Sequence, residues 1–280
     1  MKLGEKVSYL STSLIKYLRE IYAATYIGIK IYFRYVAWVI GDLVTTPIAI
    51  ILLLTPILLF LPPDQWNNPD IIQNFFWGIV LWDLISMSLW SIGNSIRNEQ
   101  RLGTLEQLLL TNANRAILFT RSMISRLLSF SLSTIYMYFF LQLFFGKPIV
   151  FRNPLTTLTV LLLAIPVSLG FGLLYGAIVL WIKNPGPITN ILQFIILGLS
   201  GVFYPVTRLP RIIQYFSYML PFTYLADLLR HEAMGIPTVF PVFIEVIIVV
   251  AYAVIANLVG YAILLYIEKR MKKVGKLGFY

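Results

Sequence analysis

The amino-acid sequence predicts an all-α integral membrane protein with six transmembrane helices, and three observations support this fold class. The chain of 280 residues is 59% hydrophobic and 12% charged, whereas soluble domains are about half apolar and about a quarter charged. Six apolar segments have lengths suited to helices, which satisfy their own backbone hydrogen bonds in lipid. Lys and Arg are concentrated in alternate connections between these segments, as in multi-pass membrane proteins.

The six predicted spans are apolar stretches separated by polar or basic connections. A helix needs roughly 20 apolar residues to cross about 30 Å of hydrocarbon. The fifth span is short, so its outer boundary depends on the segment that follows. We expect one transmembrane domain, residues 35–268, between an N-terminal arm (1–34) and a basic tail (269–280). The spans are residues 35–61, 75–96, 127–145, 155–182, 188–204 and 239–267.

The distribution of basic residues predicts the orientation of the chain. Most of the 22 Lys and Arg residues lie in the N-terminal arm, in the connection after the second span and in the tail. Short connections rich in Lys and Arg remain in the cytoplasm, so we expect both termini to be cytoplasmic, at the cell membrane. The net charge of +10 then needs no nucleic acid partner. The opposite side holds Lys147, Arg152, Arg208, Arg211 and Arg230.

The N-terminal arm has an amphipathic pattern. Leu18, Ile21 and Tyr22 fall on one helical face, whereas Arg19 and Glu20 fall on another. This pattern predicts a helix that lies on the inner leaflet and contacts membrane lipids. A plain basic anchor without a defined face is the alternative.

Residues 206–237, between the fifth and sixth spans, form a separate kind of segment. Its two apolar runs, 209–220 and 222–233, are too short to cross a bilayer and are separated by Pro221. Such runs are typical of re-entrant or interfacial helices, so we predict an extracellular helical hairpin that enters the outer leaflet. Asp227 and Arg230 have a helical spacing that favours a solvated or mutually paired polar face.

The connection between the second and third spans contains a break followed by a short helix, within residues 98–112. Gly103 is suited to end the incoming helix. Thr104 and Gln107 then have the spacing of a capping box, in which each side chain bonds the other residue's backbone N–H. A new helix is therefore expected to begin here.

This short helix carries an apolar stripe. Leu105, Leu108 and Leu109 fall on one face, beside Glu106 and Gln107. An apolar stripe on a cytoplasmic helix indicates a binding partner. The alternative is a helix that lies on lipid.

The same residues resemble a known family, the permeases of ATP-binding-cassette (ABC) exporters called ABC-2-type. A pattern like E-x-x-x-G-T-L-E-x-L-L-x-T marks the cytoplasmic coupling helix of that family, and S-G-x-x-x-P, L-P, P-x-T-Y and L-R elements follow later in its chain. The first pattern is matched by Glu99, Gly103, Thr104, Leu105, Glu106, Leu108, Leu109 and Thr111. The later elements are matched by Ser200, Gly201, Pro205, Leu209, Pro210, Pro221, Thr223, Tyr224, Leu229 and Arg230.

The resemblance implies a permease that pairs with a second copy or a paralogue and docks its coupling helix on a separate ATPase subunit. That subunit would bind ATP and Mg, and this chain would bind no cofactor. The sequence has no G-x-x-x-x-G-K-[ST] phosphate loop, so we expect a transport subunit that is not itself an enzyme. The resemblance favours export of a drug-like compound, lipid or glycolipid, with polysaccharide export as the alternative.

Acidic residues within apolar spans are further candidates for function. Charged side chains in a bilayer are energetically costly, so Asp42, Asp83 and Glu245 are functional candidates by default, with a structural hydrogen bond as the alternative. The chain has no Cys and one His, which excludes thiolate and imidazole-rich metal sites. In the fourth span, Gly172 and Gly176 favour close helix packing within one subunit.

An intramembrane protease is the competing function. Residues 198–201 read Gly-Leu-Ser-Gly, which resembles the sequence around a rhomboid-like nucleophile. A serine nucleophile requires a base within hydrogen-bond reach, yet His231, the single histidine, lies in the predicted hairpin. Asp42 and Asp83 are expected at different depths, which argues against an aspartyl pair. A secondary transporter is a further alternative, although no matching halves with broken helices are evident.

Overall fold

In the computed structural model, helices are the only regular secondary structure of the residues that it describes, which confirms the all-α part of the predicted fold class. It describes residues 2–62, 66, 68–111, 114–146, 149–182 and 185–274, without the side chains of helical residues 2–14, 16, 38, 42, 46, 49, 50, 53, 57, 58, 115, 116, 121, 271 and 274. A 3-10 helix, Val206–Arg208, accompanies the α helices. The α helices are α1 Lys2–Arg34, α2 Val36–Leu59, α3 Pro69–Leu102, α4 Leu105–Leu110, α5 Arg115–Phe145, α6 Pro154–Val179, α7 Gly186–Leu199, α8 Arg211–Ser217, α9 Pro221–Met234 and α10 Val242–Val274.

Four of the described helices are long and apolar enough to cross a membrane. They correspond to the second, third, fourth and sixth predicted spans, and they contain Pro69–Leu102, Ile117–Phe145, Pro154–Val179 and Val242–Arg270. Helix α2 covers the first predicted span, but several of its side chains lie outside the described residues.

The fifth predicted span is shorter in the structure than the sequence indicates. Helix α7 has 14 residues and ends at Leu199, so its length of about 21 Å is less than the thickness of the hydrocarbon core. The chain turns at Gly201, where φ is 61°, a left-handed value that glycine adopts without steric penalty. The count of six spans is therefore not confirmed.

Helix α3 lies at the centre of the protein. It begins at Asn68, whose side chain accepts a hydrogen bond from the Asp70 N–H at 3.0 Å, which satisfies one of the free N–H groups of the first turn. Its side chains at Leu84, Ile92 and Ile96 are fully buried, and α3 packs against α5, α6, α7 and α9. A helix buried in this way contacts protein rather than lipid along most of its length.

Glycine residues let α6 approach both of its neighbours closely. A Cβ atom on Gly172 would lie 2.6 Å from the Ser88 carbonyl oxygen of α3, and one on Gly176 would lie 2.6 Å from the Ile92 side chain. On the other face, a Cβ atom on Gly260 of α10 would lie 3.0 Å from the backbone nitrogen of Leu174. Small residues permit such contact between helices in membranes. The prediction that Gly172 and Gly176 pack within one subunit is confirmed.

Helix α1 packs along α5 and leaves apolar side chains exposed. Ser125 of α5 donates a hydrogen bond to the Gly28 carbonyl of α1 at 2.9 Å. On the predicted apolar face, the side chains of Leu18, Ile21 and Tyr22 are exposed. Glu20, on the other face, is partly buried. One side of α1 thus contacts the protein, and the exposed apolar side is available for lipid.

The first prediction concerns the contact between α3 and α6. Replacing Gly172 with Ala would place a methyl group against the Ser88 backbone, which cannot move without displacing α3. We expect a loss of about 1 to 3 kcal/mol of stability, measured as a lower unfolding temperature in detergent. Gly198→Ala is the matched control, because nothing lies within 4 Å of its added Cβ atom. Equal unfolding temperatures for the two variants would contradict this packing.

Candidate functional site

The connection between α3 and α4 contains a tight turn at Gly103. Gly103 has a φ of 68° and ends α3, and its N–H donates to the Gln100 carbonyl at 3.1 Å. The Thr104 N–H donates to the Glu99 carbonyl, also at 3.1 Å. This paired arrangement satisfies carbonyl groups at the end of a helix. Helix α4, Leu105–Leu110, follows at once and lies within the predicted range 98–112, of which Asn112 is outside the described residues.

The predicted capping box of Thr104 and Gln107 is wrong. Thr104 has helical backbone angles, φ −93° and ψ −7°, and its side chain makes no capping bond. A capping side chain normally requires an extended backbone, and the left-handed turn at Gly103 leads the chain into α4 without one. The Thr104 hydroxyl instead bonds the Glu99 carboxylate. Two predicted site residues therefore contact each other across the turn.

The three leucines of the predicted apolar stripe of α4 differ in how deeply they are buried. Leu105 and Leu109 are each 1% exposed and belong to the same apolar core as Phe119 of α5. Leu108 is partly buried. The expectation that all three leucines face a partner is therefore wrong for Leu105 and Leu109, because their spacing of four residues directs both into the core of this chain.

The exposed surface of α4 combines charged, polar and apolar groups. Glu106 and Gln107 are exposed, and Leu110 is 81% exposed. Leu102, just before the Gly103 turn, is 73% exposed. These four residues, Leu102, Glu106, Gln107 and Leu110, are called the α4 surface below. The sequence pattern alone did not single out Leu102 or Leu110.

One other helix contacts the end of α4, and another contacts the connection between α4 and α5. Lys272 of α10 donates a hydrogen bond from Nζ to the Leu109 carbonyl at 2.8 Å. Glu20 of α1 accepts one from the Asn114 N–H at 3.2 Å, just beyond α4. Sequence reasoning missed both contacts, because each joins residues that are far apart in the chain.

The structure places the three intramembrane acidic candidates on different helices. Asp42 lies on α2, and its side chain is outside the described residues. Asp83 is partly buried on α3. Glu245 lies in the first turn of α10, is fully buried, and accepts a hydrogen bond from the Phe240 N–H at 3.0 Å.

Prolines divide the segment 206–237 into short elements, as the sequence indicates. Pro205 precedes the 3-10 helix, Pro210 precedes α8, and Pro221 begins α9. Tyr224 is buried on α9 and donates a hydrogen bond to the Tyr218 carbonyl at 2.8 Å. That bond joins α9 to the end of α8.

Helix α9 brings charged side chains into the protein interior. Asp227 accepts a hydrogen bond from the Val239 N–H at 2.6 Å. Arg230 is 2% exposed and donates from Nη2 to the Gly201 carbonyl at 2.6 Å. Of the two predicted alternatives, the solvated face is therefore wrong, because α9 is enclosed by α3, α6 and α10. The mutually paired face agrees with the structure, since the charge of Asp227 acts on Arg230.

Asp227, Arg230 and Glu245 form a buried charge cluster. Burial lowers the pKa of Arg230, while the charges of Asp227 and Glu245 oppose that shift. Arg230 Nη1 is buried and has no hydrogen-bond partner among the described residues. Removing one charge from such a cluster leaves the others uncompensated in a medium of low dielectric constant.

The geometry at Ser200 does not fit a protease. Ser200 is fully buried, and its hydroxyl has no hydrogen-bond partner among the described residues. His231 Nδ1 contacts the Ile236 carbonyl at 2.9 Å. A serine nucleophile needs a base within about 3 Å of its hydroxyl, and His231 is directed to a backbone group instead.

The apolar helices that are long enough to cross a membrane indicate a multi-pass membrane protein. Comparison with known families identifies it further, because the model of the ABC-2 type transporter family matches residues 19–232. No curated protein matches the chain. The chain belongs to the ABC-2 type transporter family and is the membrane-embedded permease component of an ABC transporter.

The second prediction concerns the buried charge cluster. Arg230→Met removes the positive charge between two carboxylates and the hydrogen bond to Gly201, so we expect a loss of about 3 to 5 kcal/mol of stability. The unfolding temperature in detergent measures this loss. Arg208→Met, at an exposed position, is the control, and an equal effect there would refute the role of burial.

Proposed function

We propose that this permease forms the membrane part of an exporter and that its α4 surface docks on a separate ATPase subunit. That subunit binds ATP and Mg and hydrolyses the nucleotide. The proposal is supported chiefly by one observation, the short helix that follows the most buried span and presents Glu106 and Leu110 outward. Family membership supports it further, because permeases of this family typically pair with an ATPase subunit.

The physical basis of docking is the mixed character of the α4 surface. Full burial of a leucine side chain contributes roughly 1.5 to 3 kcal/mol, and binding energy at interfaces is concentrated in a few residues. Leu102 and Leu110 are exposed apolar groups that precede and follow Glu106 in the chain, and Glu106 is exposed as well. Leu105 and Leu109 hold α4 in place from inside and are not available to a partner.

The proposed orientation places both termini and α4 in the cytoplasm and the hairpin 206–237 outside. It is supported by the concentration of Lys and Arg in the arm, in the connection around α4 and at the end of α10. The cytoplasmic side is where ATP is available. Residues 275–280 of the basic tail lie outside the described residues.

The proposed substrate is hydrophobic or amphipathic, such as a drug-like compound, a lipid or a glycolipid. It is supported by the scarcity of charged residues, 12% of the chain, and by the burial of Glu245, whose charge interacts with Arg230 of the hairpin. We propose that a second permease copy or a paralogue completes the transporter. The large exposed apolar side chains of α7 and α10 are available to lipid or to that partner.

The third prediction tests docking. The double variant Glu106→Arg, Leu110→Asp reverses one charge and places another at the apolar edge of the α4 surface. We expect at least about a tenfold loss in ATPase co-purification, since both changes disfavour burial at an interface. Lys269→Glu, an exposed charge reversal on α10, is the control. Wild-type recovery of the ATPase with the double variant would show that the α4 surface is not the docking element.

The fourth prediction tests orientation. The chain has no Cys, so single introduced thiols report without background. Thr207→Cys, in the hairpin, should react with an impermeant maleimide added to intact cells, whereas Lys273→Cys, near the end of α10, should react only after the membrane is opened. Both positions are exposed. The reverse pattern of labelling would overturn the orientation.

A further inference from the structure

The contact between α10 and α4 joins a cation to a helix end. Lys272 Nζ donates to the Leu109 carbonyl at 2.8 Å and to Glu268 Oε1 at 2.6 Å. Glu268 is 6% exposed, and this nearly buried carboxylate orients the lysine. The last carbonyl groups of a helix have no partner within that helix, and a cation placed there is favourable. The contact thus satisfies a backbone group that α4 cannot satisfy alone.

Helix α4 is therefore held at both of its ends. Its first end follows the left-handed turn at Gly103, which interrupts α3. Its last end is held by Lys272. If a docked ATPase displaces α4 as a unit, the displacement must either move α10 or break the Lys272 hydrogen bond.

Helix α10 is suited to carry such a displacement across the protein. It is one continuous helix, Val242–Val274, and it packs against α6 through Gly260. Asn257 of α10 also donates a hydrogen bond to the Pro166 carbonyl of α6 at 2.8 Å. Close packing and an interhelical hydrogen bond make the two helices move as one body.

The opposite end of α10 contacts the hairpin. The Tyr252 hydroxyl donates to the Met219 carbonyl, at the end of α8, at 2.5 Å. Glu245 accepts from the Phe240 N–H and belongs to the buried charge cluster with residues of α9. Along the helix axis, Glu245 and Lys272 are about 40 Å apart. A single helix therefore joins the docking element to the hairpin.

We propose that Lys272 is a positioning residue that transmits movement of α4 through α10 to the hairpin 206–237. The inference rests on the proposed function, because it takes α4 as the element that the ATPase moves. Lys272 lies outside the α4 surface and has no role in docking itself. The Glu20 contact with Asn114 joins α1 to the connection between α4 and α5 and provides no direct path to the hairpin.

The test uses the permease purified with the ATPase that accompanies it, in lipid nanodiscs. Thr207→Cys reports on the hairpin through its rate of reaction with an impermeant maleimide, measured with and without ATP plus vanadate. We expect the nucleotide to change this rate in the parent protein. Lys272→Met should reduce the change roughly tenfold, the scale set by one charge-assisted hydrogen bond, while the ATPase stays bound.

Three variants distinguish transmission from a general structural effect. Lys272→Arg keeps a cationic donor and should keep the nucleotide response. Lys273→Met removes the neighbouring exposed charge and should also keep it. Glu268→Gln retains Lys272 but weakens its orientation, so it should give an intermediate response even if Lys272→Met does not fold. Unfolding temperatures of each permease alone report on folding.

An unchanged nucleotide response in Lys272→Met or in Glu268→Gln would overturn the inference. The absence of any nucleotide response in the parent protein would also overturn it. Release of the ATPase by Lys272→Met would overturn it too, because Lys272 would then be a docking residue. Failure of the proposed function has a different signature, namely full ATPase binding by the Glu106→Arg, Leu110→Asp variant. The two failures are therefore distinguishable.

Discussion

The burial of α3 is the constraint on which the rest of the structure depends. Its side chains at Leu84 and Ile92 are completely buried, so the neighbouring helices must pack around it on several sides. Glycines of α6 bring that helix against the α3 backbone, and α5 and α9 cover other faces. Because α3 is fixed in this way, its last residue and the Gly103 turn define where α4 begins. The position of the proposed docking surface thus follows from the packing of a membrane span.

Hydrogen bonds between polar side chains attach α7 to α3, and α7 is too short to cross the membrane by itself. Gln193 of α7 accepts a hydrogen bond from Trp90 Nε1 at 2.6 Å and donates one to the Ser86 hydroxyl at 2.7 Å. Lipid offers no competing hydrogen-bond partners, so such polar contacts favour helix association. The short α7 is therefore stabilised by its contact with α3, and the chain then turns into the hairpin. This explains why hydropathy predicted an apolar segment here but overestimated its length.

Local features of the sequence were predictive, and features that depend on tertiary contact were not. Apolar composition predicted the four helices that are long enough to cross a membrane, and Gly103 predicted the end of α3, since both features depend on neighbouring residues alone. The capping role of Thr104 failed because the backbone angle at the turn is set by the joint between two helices. The sequence pattern assigned Leu105 and Leu109 to a binding partner. Such a pattern shows that a helix face is apolar, but it does not show whether that face packs against a partner or against the core of the same chain. The proximity of Glu245 to α9, and that of Lys272 to α4, could not be predicted from spacing.

The location of polar contacts along α10 follows from the energetics of the bilayer. A charge in hydrocarbon is energetically costly unless it is paired or reaches the interface. Accordingly, the charged residues of α10 lie near its two ends, with Glu245 in the first turn and Glu268 and Lys272 near the last turn. Between them, Gly260 and apolar side chains make the contact with α6. At the first end, Glu245 lies in the charge cluster with residues of α9, and at the last end Glu268 orients Lys272, which contacts α4. The same distribution makes α10 a connection between α4 and the hairpin, which is the arrangement that the proposed transmission requires.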